Sequence, residues 1–335
     1  MPAVKHLVVG DPHSTPDELD DCEALLRLVQ RTADEHRVGV ITFLGDLYNS
    51  HDVVTTRCIE FWHRWFRELS GQAGVVAIRG NHDQVTPSEA FPHALLAHPD
   101  IVVIDRPQAM PYLEGCVAMP YYHDAAEFLE GTRQLARMAT RLLFCHQTFQ
   151  GAQYENGFYA KDGVDVNAVG IPSIISGHIH SPQKVGKASY PGAPRWRTLS
   201  DANEDRFLWV LEHDGDHIRL AAKVPTGDAC RRIWRYDDRP EAPADVSNAR
   251  PGDDVRIDVY GPTPEYVAER RAALKASCGA VTRPFPERAR KAAVSEALGV
   301  EVAFDRYRDQ FRAPNGSAPE VLSATVRERL AEVVT

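Results

Sequence analysis

Residues 4–13 read Val-Lys-His-Leu-Val-Val-Gly-Asp-Pro-His. The apolar run Val4–Val9 is typical of a buried strand, and it stops at a glycine that polar side chains follow. Four later segments also place an Asp, Asn or His beside a glycine or at the end of an apolar run: Gly45-Asp46, Gly80-Asn81-His82-Asp83, Cys145-His146 and Gly177-His178-Ile179-His180. Because ligands gather at the carboxyl ends of strands in α/β sheets, we expect the five segments to meet at one edge.

Helix and strand patterns alternate between these segments. Thr15-Pro16-Asp17-Glu18 predicts a helix start, with Thr15 as its cap and Pro16 in its first turn. A second helix is predicted over residues 54–69, and its apolar face consists of Cys58, Phe61, Trp62, Trp65 and Phe66. The aromatic rings of this face could form a base-stacking platform, but their helical spacing favours packing in the core.

Further short strands are predicted at residues 38–44, 75–78, 101–104, 116–119, 142–145 and 174–176. Strands that alternate with helices indicate an α/β fold built in layers. Beyond Gly192, two strands at residues 207–211 and 218–223 flank Asp214-Gly215-Asp216 and predict a β-hairpin. The first predicted domain therefore covers residues 1–238.

The C-terminal third has a different composition. Residues 239–253 are rich in Pro, Ala and Asp and are predicted to be a linker. A small βαβ module is predicted over residues 254–300, with its helix opened by Thr263-Pro264 and closed by Gly279. Residues 301–335 carry two apolar stripes: Phe304, Tyr307 and Phe311, and then Leu322, Val326, Leu330 and Val333. These stripes either pack on this chain or form an amphipathic surface for a partner.

Composition narrows the class of protein. The chain has 335 residues, of which 43% are hydrophobic and 25% charged, as in ordinary globular proteins. No apolar run is long enough for a membrane span, and the N-terminus lacks a signal-peptide pattern. Six scattered cysteines without a CxxC pair favour a reduced, cytoplasmic setting. The net charge of −9 means that nucleic-acid binding would need a local positive patch.

The five segments supply oxygen and nitrogen ligands for two metal ions. A carboxylate can bridge two cations, and Asp46 is the candidate for that role. Asp11, His13 and His180 would complete one site, and Asn81, His146 and His178 would complete the other. Such ligands without a thiolate suit Mn²⁺ or Fe, and less exclusively Zn²⁺ or Mg²⁺. Two cations roughly 3.5–4 Å apart activate water for attack on phosphorus.

His82 lies beside the ligand candidate Asn81 and neither metal shell needs it. It is therefore the candidate general acid for the leaving oxygen, and Asp83 could hold its tautomer. Each segment alone is a common turn sequence, and a single histidine is most often structural. It is the ordered set of five, each at a strand end, that favours metal chemistry.

The pattern GDxH, GD, GNHD, H and GHxH resembles the calcineurin-like metallophosphoesterase superfamily over about residues 4–213. The resemblance implies a β-sandwich flanked by helices with a dinuclear metal site, and its ligand pattern agrees with the residues proposed above. Residues 146–151 (HQTFQG), 177–183 (GHIHSPQ) and 190–194 (YPGAP) resemble Mre11/SbcD-type DNA repair nucleases. The compact length is similar to a phage-type version.

That nuclease resemblance implies a Mn²⁺-dependent DNA exo/endonuclease. It also implies a homodimer, a capping domain after the catalytic domain, and a C-terminal segment that docks on a Rad50/SbcC-like ATPase. Many of these nucleases carry a histidine three residues after the bridging aspartate, where this chain has Asn49. A substrate contact at Asn49 is therefore in question, and His51 lies nearby out of register.

Several cations could contact a phosphate backbone. Arg195 and Arg197 follow the Pro-rich loop and could reach a scissile phosphate, or could form ordinary pairs with Asp201, Glu204 or Asp205. A basic stretch could be a backbone contact or a solvated helix face: Arg270, Arg271, Lys275, Arg283, Arg288, Arg290 and Lys291. Two other functions stay open, a phosphohydrolase of cyclic nucleotides or dinucleotides and a non-enzymatic scaffold.

Overall fold

A computed structural model of the chain describes residues 3–138, 140–214 and 217–286. Four α-helices are present in this part: α1 (Leu19–His36), α2 (Thr56–Ser70), α3 (Ala125–Ala136) and α4 (Pro264–Cys278). The strands, in chain order, are β1 (Val4–Val9), β2 (Val40–Phe43), β3 (Gly74–Ile78), β4 (Gln84–Thr86), β5 (Glu89–His93), β6 (Val102–Ile104), β7 (Gln108–Ala109), β8 (Cys116–Met119), β9 (Leu142–His146), β10 (Ser173–Gly177), β11 (Gln183–Val185), β12 (Ala188–Tyr190), β13 (Phe207–Asp214), β14 (His217–Pro225), β15 (Ile233–Asp238), β16 (Asp254–Gly261) and β17 (Val281–Pro286).

Two six-stranded sheets form the centre of the molecule. Their strand orders are β14-β13-β1-β2-β3-β6 and β11-β12-β10-β9-β8-β7. Strands β1, β2, β3 and β6 run parallel, and so do β8, β9, β10 and β12. The predicted hairpin is present, since β13 and β14 pair antiparallel.

Side chains of the central strands alternate between two cores. In β1, Val8 packs between the sheets with Phe144 and Ile175 of the second sheet. Its neighbours Leu7 and Val9 face the other way, toward α1 and α2, as the period of two of a strand requires. On the outer side of the second sheet, the helix α3 packs against β9. The predicted α/β sandwich flanked by helices is confirmed.

The aromatic face of the second predicted helix is buried. Trp62, Trp65 and Phe66 of α2 lie in the outer core with Phe43, so the core-packing interpretation is correct and a base-stacking platform is not available there. The predicted start of the first helix is wrong by one turn. The helix α1 begins at Leu19, and its N-cap position is Glu18 rather than Thr15. Thr15 Oγ1 instead lies 3.3 Å from Glu18 Oε2.

A third sheet follows the sandwich. Strands β15, β16 and β17 run parallel in that order, with α4 between β16 and β17. Thr263 caps α4 and Gly279 ends it with a φ of 67°, as predicted. The strand β15 was not predicted, and because it pairs with β16, residues 239–253 connect two neighbouring strands of one sheet. The division into domains at residues 238 and 253 stays a prediction.

Parts of the C-terminal predictions lie outside the described residues. These are Arg288, Arg290 and Lys291 of the basic stretch, residues 287–300 of the predicted module, and the stripes of residues 301–335. Within the basic stretch, Arg270 donates two hydrogen bonds of 2.8 Å to the buried carboxylate of Asp238. Among the described residues, no helix is long and apolar enough to cross a membrane.

Candidate metal centre

The sandwich brings the five segments together at one edge. Asp11, Asp46 and Asn81 follow the carboxyl ends of β1, β2 and β3 in the first sheet. His146 is the last residue of β9 in the second sheet, and His178 follows β10. The strand ends of both sheets therefore face one site, and the expectation that the segments meet at one edge is correct.

One group of possible ligands consists of Asp11, His13 and His180. One atom from each of these side chains lies within 4.8 Å of the others, and His13 Nε2 is 2.9 Å from His180 Nε2. Asp11 Oδ2 accepts a hydrogen bond of 2.6 Å from the backbone N–H of His178. Its Oδ1 is buried and has no hydrogen-bond partner among the described residues, which fits an oxygen that binds a cation.

A second group consists of Asp46, His146 and His178, again within 4.8 Å. The amide oxygen of Asn81 points into this group. It lies 2.7 Å from His178 Nδ1 and 3.1 Å from His146 Nε2. Both groups offer oxygen and imidazole nitrogen without a thiolate, a donor set that suits divalent first-row metals.

Asp46 lies between the two groups. Its Oδ2 is 3.2 Å from His146 Nε2 and 3.5 Å from His13 Nε2. Its Oδ1 accepts a hydrogen bond of 2.8 Å from the backbone N–H of His82. This is the position that a carboxylate bridging two cations needs. The seven side chains thus form two adjoining sets around one carboxylate, and their role as ligands stays a prediction that this geometry fits.

Burial and nearby charges shift the pKa values of these histidines. Burial and the nearby His146 lower the pKa of His178 to about 3, so its imidazole is neutral, as a ligand must be. Burial also opposes the charged form of His146, but the carboxylates of Asp46 and Asp11 outweigh it and raise its pKa to about 9. In the metal-free chain, the positive charge of protonated His146 partly balances the negative charge of Asp46 and Asp11. A bound cation would balance that negative charge in place of the proton.

Two histidines are oriented through their Nδ1 atoms. His146 Nδ1 lies 2.9 Å from the carbonyl oxygen of Leu44. His180 Nδ1 lies 3.3 Å from Glu155 Oε1, which also accepts a hydrogen bond of 3.0 Å from the backbone N–H of His180. Both contacts leave Nε2 for a metal and fix the ring. Sequence reasoning missed Glu155, because it lies in a loop without a motif.

His82 borders the centre, and its partner differs from the prediction. Its Nδ1 donates to the carbonyl oxygen of Asn49 over 2.7 Å, and its ring stacks on that of His51 at 4.3 Å between centroids. Asp83 does not contact His82 through its carboxylate. Asp83 instead accepts backbone hydrogen bonds of 2.9 Å from each of Asp46, Leu47 and Gly80. The predicted role of Asp83 is therefore corrected: it holds the ligand-bearing turns.

The three candidate substrate contacts lie in different surroundings. Arg195 is fully buried; its guanidinium donates to the carbonyl oxygens of Pro12 and His13 and to Asp21 over 2.7 Å. It is therefore not available to a substrate, and it pairs with none of the acids considered from the sequence. Arg197 Nη2 donates to Asn49 Oδ1 over 2.7 Å, which places both of these residues beside His82.

Close backbone approach explains two of the glycines. A Cβ on Gly80 would lie 2.1 Å from Asp46 Oδ1, and one on Gly10 would lie 1.9 Å from the carbonyl oxygen of Gly192. Three ligand candidates themselves have left-handed backbones, with φ of 48° at His13, 50° at Asp46 and 81° at His178. Such angles are uncommon outside glycine and cluster at functional sites.

The chain is similar to several known proteins. The calcineurin-like phosphoesterase family matches residues 4–182. "Putative phosphoesterase 244L" of Invertebrate iridescent virus 6 is 22% identical over 238 residues, which span 67% of this chain and 83% of the viral protein. A structural similarity to the nuclease MPE of Pseudomonas putida covers 64% of this chain and 85% of that one, with 17% identity and a TM-score of 0.32. Because the family match spans more than half of its residues, the chain belongs to the calcineurin-like phosphoesterase family.

Proposed function

We propose that this chain is a Mn²⁺-dependent phosphodiesterase that hydrolyses DNA, and that it serves as the exo/endonuclease subunit beside a Rad50/SbcC-like ATPase. The observation that carries the chemistry is the arrangement of the two ligand groups around Asp46. When bound there, two cations would activate a water and polarise the phosphoryl group. Asp11, His13 and His180 would hold one of them, and Asn81, His146 and His178 the other.

His82 is the proposed proton donor to the leaving oxygen. Its ring centroid lies 4.8 Å from that of His13, so it borders the reacting centre. The hydrogen bond from Nδ1 to Asn49 fixes the ring, so Nε2 is the nitrogen that donates when the ring carries its second proton. Arg197, held by the side chain of Asn49, is the cation best situated to contact a non-bridging phosphate oxygen.

The choice of DNA rests on the motifs shared with Mre11/SbcD-type nucleases. Two of these motifs are joined through Tyr190, whose hydroxyl donates to the carbonyl oxygen of Gln147 over 3.0 Å and accepts from the backbone N–H of Phe149 over 2.9 Å. Ala193 in the same loop donates a backbone hydrogen bond of 2.9 Å to His180. The loop that distinguishes this group of nucleases is therefore part of the support of a ligand histidine.

The test is degradation of linear and hairpin DNA, with and without Mn²⁺, alone and with an ATPase partner. We expect Mn²⁺-dependent cleavage that Asp46→Asn abolishes. Asp228→Asn is the matched control, because its side chain is fully exposed, and it should cut DNA like the parent. Inactivity on every DNA, together with robust turnover of a small phosphodiester, would refute the nuclease proposal.

A small-molecule phosphohydrolase is the second candidate, and the net charge of −9 favours it, since a polyanion is repelled more strongly than a single nucleotide. Cyclic nucleotides and dinucleotides should be assayed beside DNA under the same metal conditions. If the kcat/KM for one of these nucleotides exceeds the kcat/KM per DNA end by orders of magnitude, that nucleotide is the better candidate substrate.

The assembly is proposed from the same resemblance. We expect a homodimer of twice 37.3 kDa, with the ATPase bound through residues 301–335 in the cytoplasm. Sedimentation equilibrium with and without the ATPase measures both associations. A monomer at every concentration, or an ATPase that binds equally well after removal of residues 301–335, contradicts the proposed assembly.

A further inference from the structure

A groove of about 430 Å³ opens beside the metal centre on the side of His178. Its walls carry three tyrosines, Tyr121, Tyr154 and Tyr159, and Gln147 and Thr148 are among its other lining residues. Tyr159 is 63% exposed, so the fold does not need its ring for packing. The groove has one lysine and one aspartate in its lining, Lys161 and Asp162, and is therefore not built for a multiply charged anion.

The groove is continuous with the metal centre. The ring of Tyr121 stacks on the imidazole of His178, with 5.5 Å between centroids and 22° between planes. Gln147, which lines the groove, directly follows the ligand candidate His146. A phosphodiester held at the two ligand groups would therefore have one of its substituents at the mouth of the groove.

The wall that carries Tyr154 and Tyr159 is tied to the metal centre. Residues 148–164 fold back on themselves through backbone hydrogen bonds, among them Gly151 to Ala160 over 2.9 Å and Tyr154 to Phe158 over 2.8 Å. Glu155, one residue after Tyr154, holds His180 through its carboxylate. The aromatic wall therefore has a fixed place relative to the ligands, and little ordering is needed when a substrate binds.

An aromatic lining that also contains an amide and a hydroxyl fits a flat heterocycle with a polar edge. We propose that this groove binds the nucleobase next to the scissile phosphodiester, an inference that rests on the proposed phosphodiesterase function. A base inside a duplex is stacked and cannot enter, so the groove favours single-stranded or frayed ends. Stacking of one base on aromatic side chains strengthens binding by about 5- to 150-fold.

The test compares two esters with the same leaving group in the metal-loaded full chain. Thymidine 5′-(p-nitrophenyl phosphate) carries a base, and methyl p-nitrophenyl phosphate does not. We expect Tyr159→Ala to lower the ratio of their kcat/KM values by about 5- to 150-fold, in line with the loss of one stacking contact. Tyr159→Phe, which keeps the ring, should retain most of the ratio.

Phe158→Ala is the matched control. Phe158 is the neighbouring aromatic residue and is 73% exposed, but it does not line the groove. An unchanged ratio in Tyr159→Ala overturns the proposal, and so does an equal fall in Phe158→Ala, because the effect would then come from the loop as a whole. Calorimetry tests the proposal without turnover, by comparing the binding of thymidine 5′-monophosphate with that of inorganic phosphate. Tyr159→Ala must weaken the binding of the nucleotide and leave the binding of phosphate unchanged.

The outcomes separate this inference from the nuclease proposal. If no DNA is cut and the ratio still falls in Tyr159→Ala, the nucleobase groove stands and serves a small nucleotide. If DNA is cut and the ratio does not change, the nuclease proposal stands and the groove is not a base site.

Discussion

At the scale of the residue, three histidines at the centre are oriented by the partner of their Nδ1 atom. Nδ1 of His146 faces a backbone carbonyl, Nδ1 of His180 faces Glu155, and Nδ1 of His82 faces the carbonyl of Asn49. The same device thus serves two different ends. In the proposed roles, it presents Nε2 of His146 and His180 to a metal and leaves Nε2 of His82 for proton transfer.

His82→Ala should keep the metal content and lower phosphodiester turnover by about 10²–10⁴, the usual contribution of a general acid. Metal analysis and steady-state kinetics on the same preparation measure the two effects. The exposed His217 is the control position, and His217→Ala should match the parent in both. Because His82 also lies within reach of Asp46 and His13, loss of metal in His82→Ala would identify it as a ligand instead.

Glu155→Ala should weaken metal binding by about 10- to 100-fold, because a carboxylate that orients a ligand histidine sets the tautomer and basicity of that ring. Titration with Mn²⁺ gives the affinity directly. Glu130→Ala on the exposed face of α3 is the control and should bind as the parent does. Equal affinities of the parent and the Glu155 variant would show that His180 is oriented by other contacts.

Sequence reasoning reached the ligand candidates because each lies at or shortly after the end of a predicted strand. It did not reach Glu155, which comes to His180 through a loop that no local pattern marks. The predicted role of Asp83 was wrong for a related reason. The partner of His82 is a main-chain carbonyl, and the carboxylate of Asp83 satisfies buried backbone N–H groups, which have no signature in the residue types.

At the scale of the element, Arg195 joins the loop after β12 to α1 and to the turn that carries His13. Arg195→Met should lower the free energy of unfolding by about 3–5 kcal/mol, because it removes the buried donor of Asp21 Oδ2 and of the carbonyl oxygens of Pro12 and His13. Arg27→Met is the matched control: Arg27 pairs with Glu23 on the exposed face of the same helix, and its loss should cost less than about 1 kcal/mol. Urea denaturation measures the free energy of unfolding of both variants. Equal decreases in the two would contradict a stabilising role for the buried Arg195.

Elements with an uninterrupted apolar pattern were predictable, including short strands such as β8, and elements whose apolar residues are interrupted by charged ones were not. The helix α2 has a continuous aromatic face and was placed within two residues. The strand β15 was missed because its buried and half-exposed residues alternate with Arg235 and Asp237, which resemble a surface loop until β16 is seen beside them. The helix α3 was also missed, although Asp124 caps it by accepting from Ala126 and Glu127.

At the scale of the whole molecule, a buried histidine, His98, and a half-buried one, His213, make the free energy of unfolding depend on pH. Burial lowers the pKa of His213 to about 4, with Arg141 as a second cause, and it also lowers the pKa of His98 to about 4. In the unfolded chain these groups titrate near pH 6.5. Between pH 6.5 and about 4 the unfolded state therefore binds protons that the folded state does not, so stability falls as the pH falls through this window.

Denaturation of the metal-free chain at a series of pH values should show that the free energy of unfolding decreases from pH 6.5 to about 4. His213→Gln should make this decrease less steep. The exposed His217 gives the control variant, His217→Gln, whose slope should equal that of the parent. Carboxylates contribute to every variant alike, so the difference between these two variants isolates one half-buried imidazole. Identical pH dependence of the unfolding free energy in the parent and His213→Gln would contradict a neutral, half-buried His213.

The left-handed backbones at His13, Asp46 and His178 have a consequence for how such a centre can arise. Among non-glycine residues, Asn, Asp and His tolerate positive φ best, and these are also the oxygen and nitrogen donors that metals use. A combinatorial library at these three positions that is screened only for foldability should therefore already be enriched in ligands. In this fold, the backbone conformation at these three positions favours metal-donor side chains even without a metal.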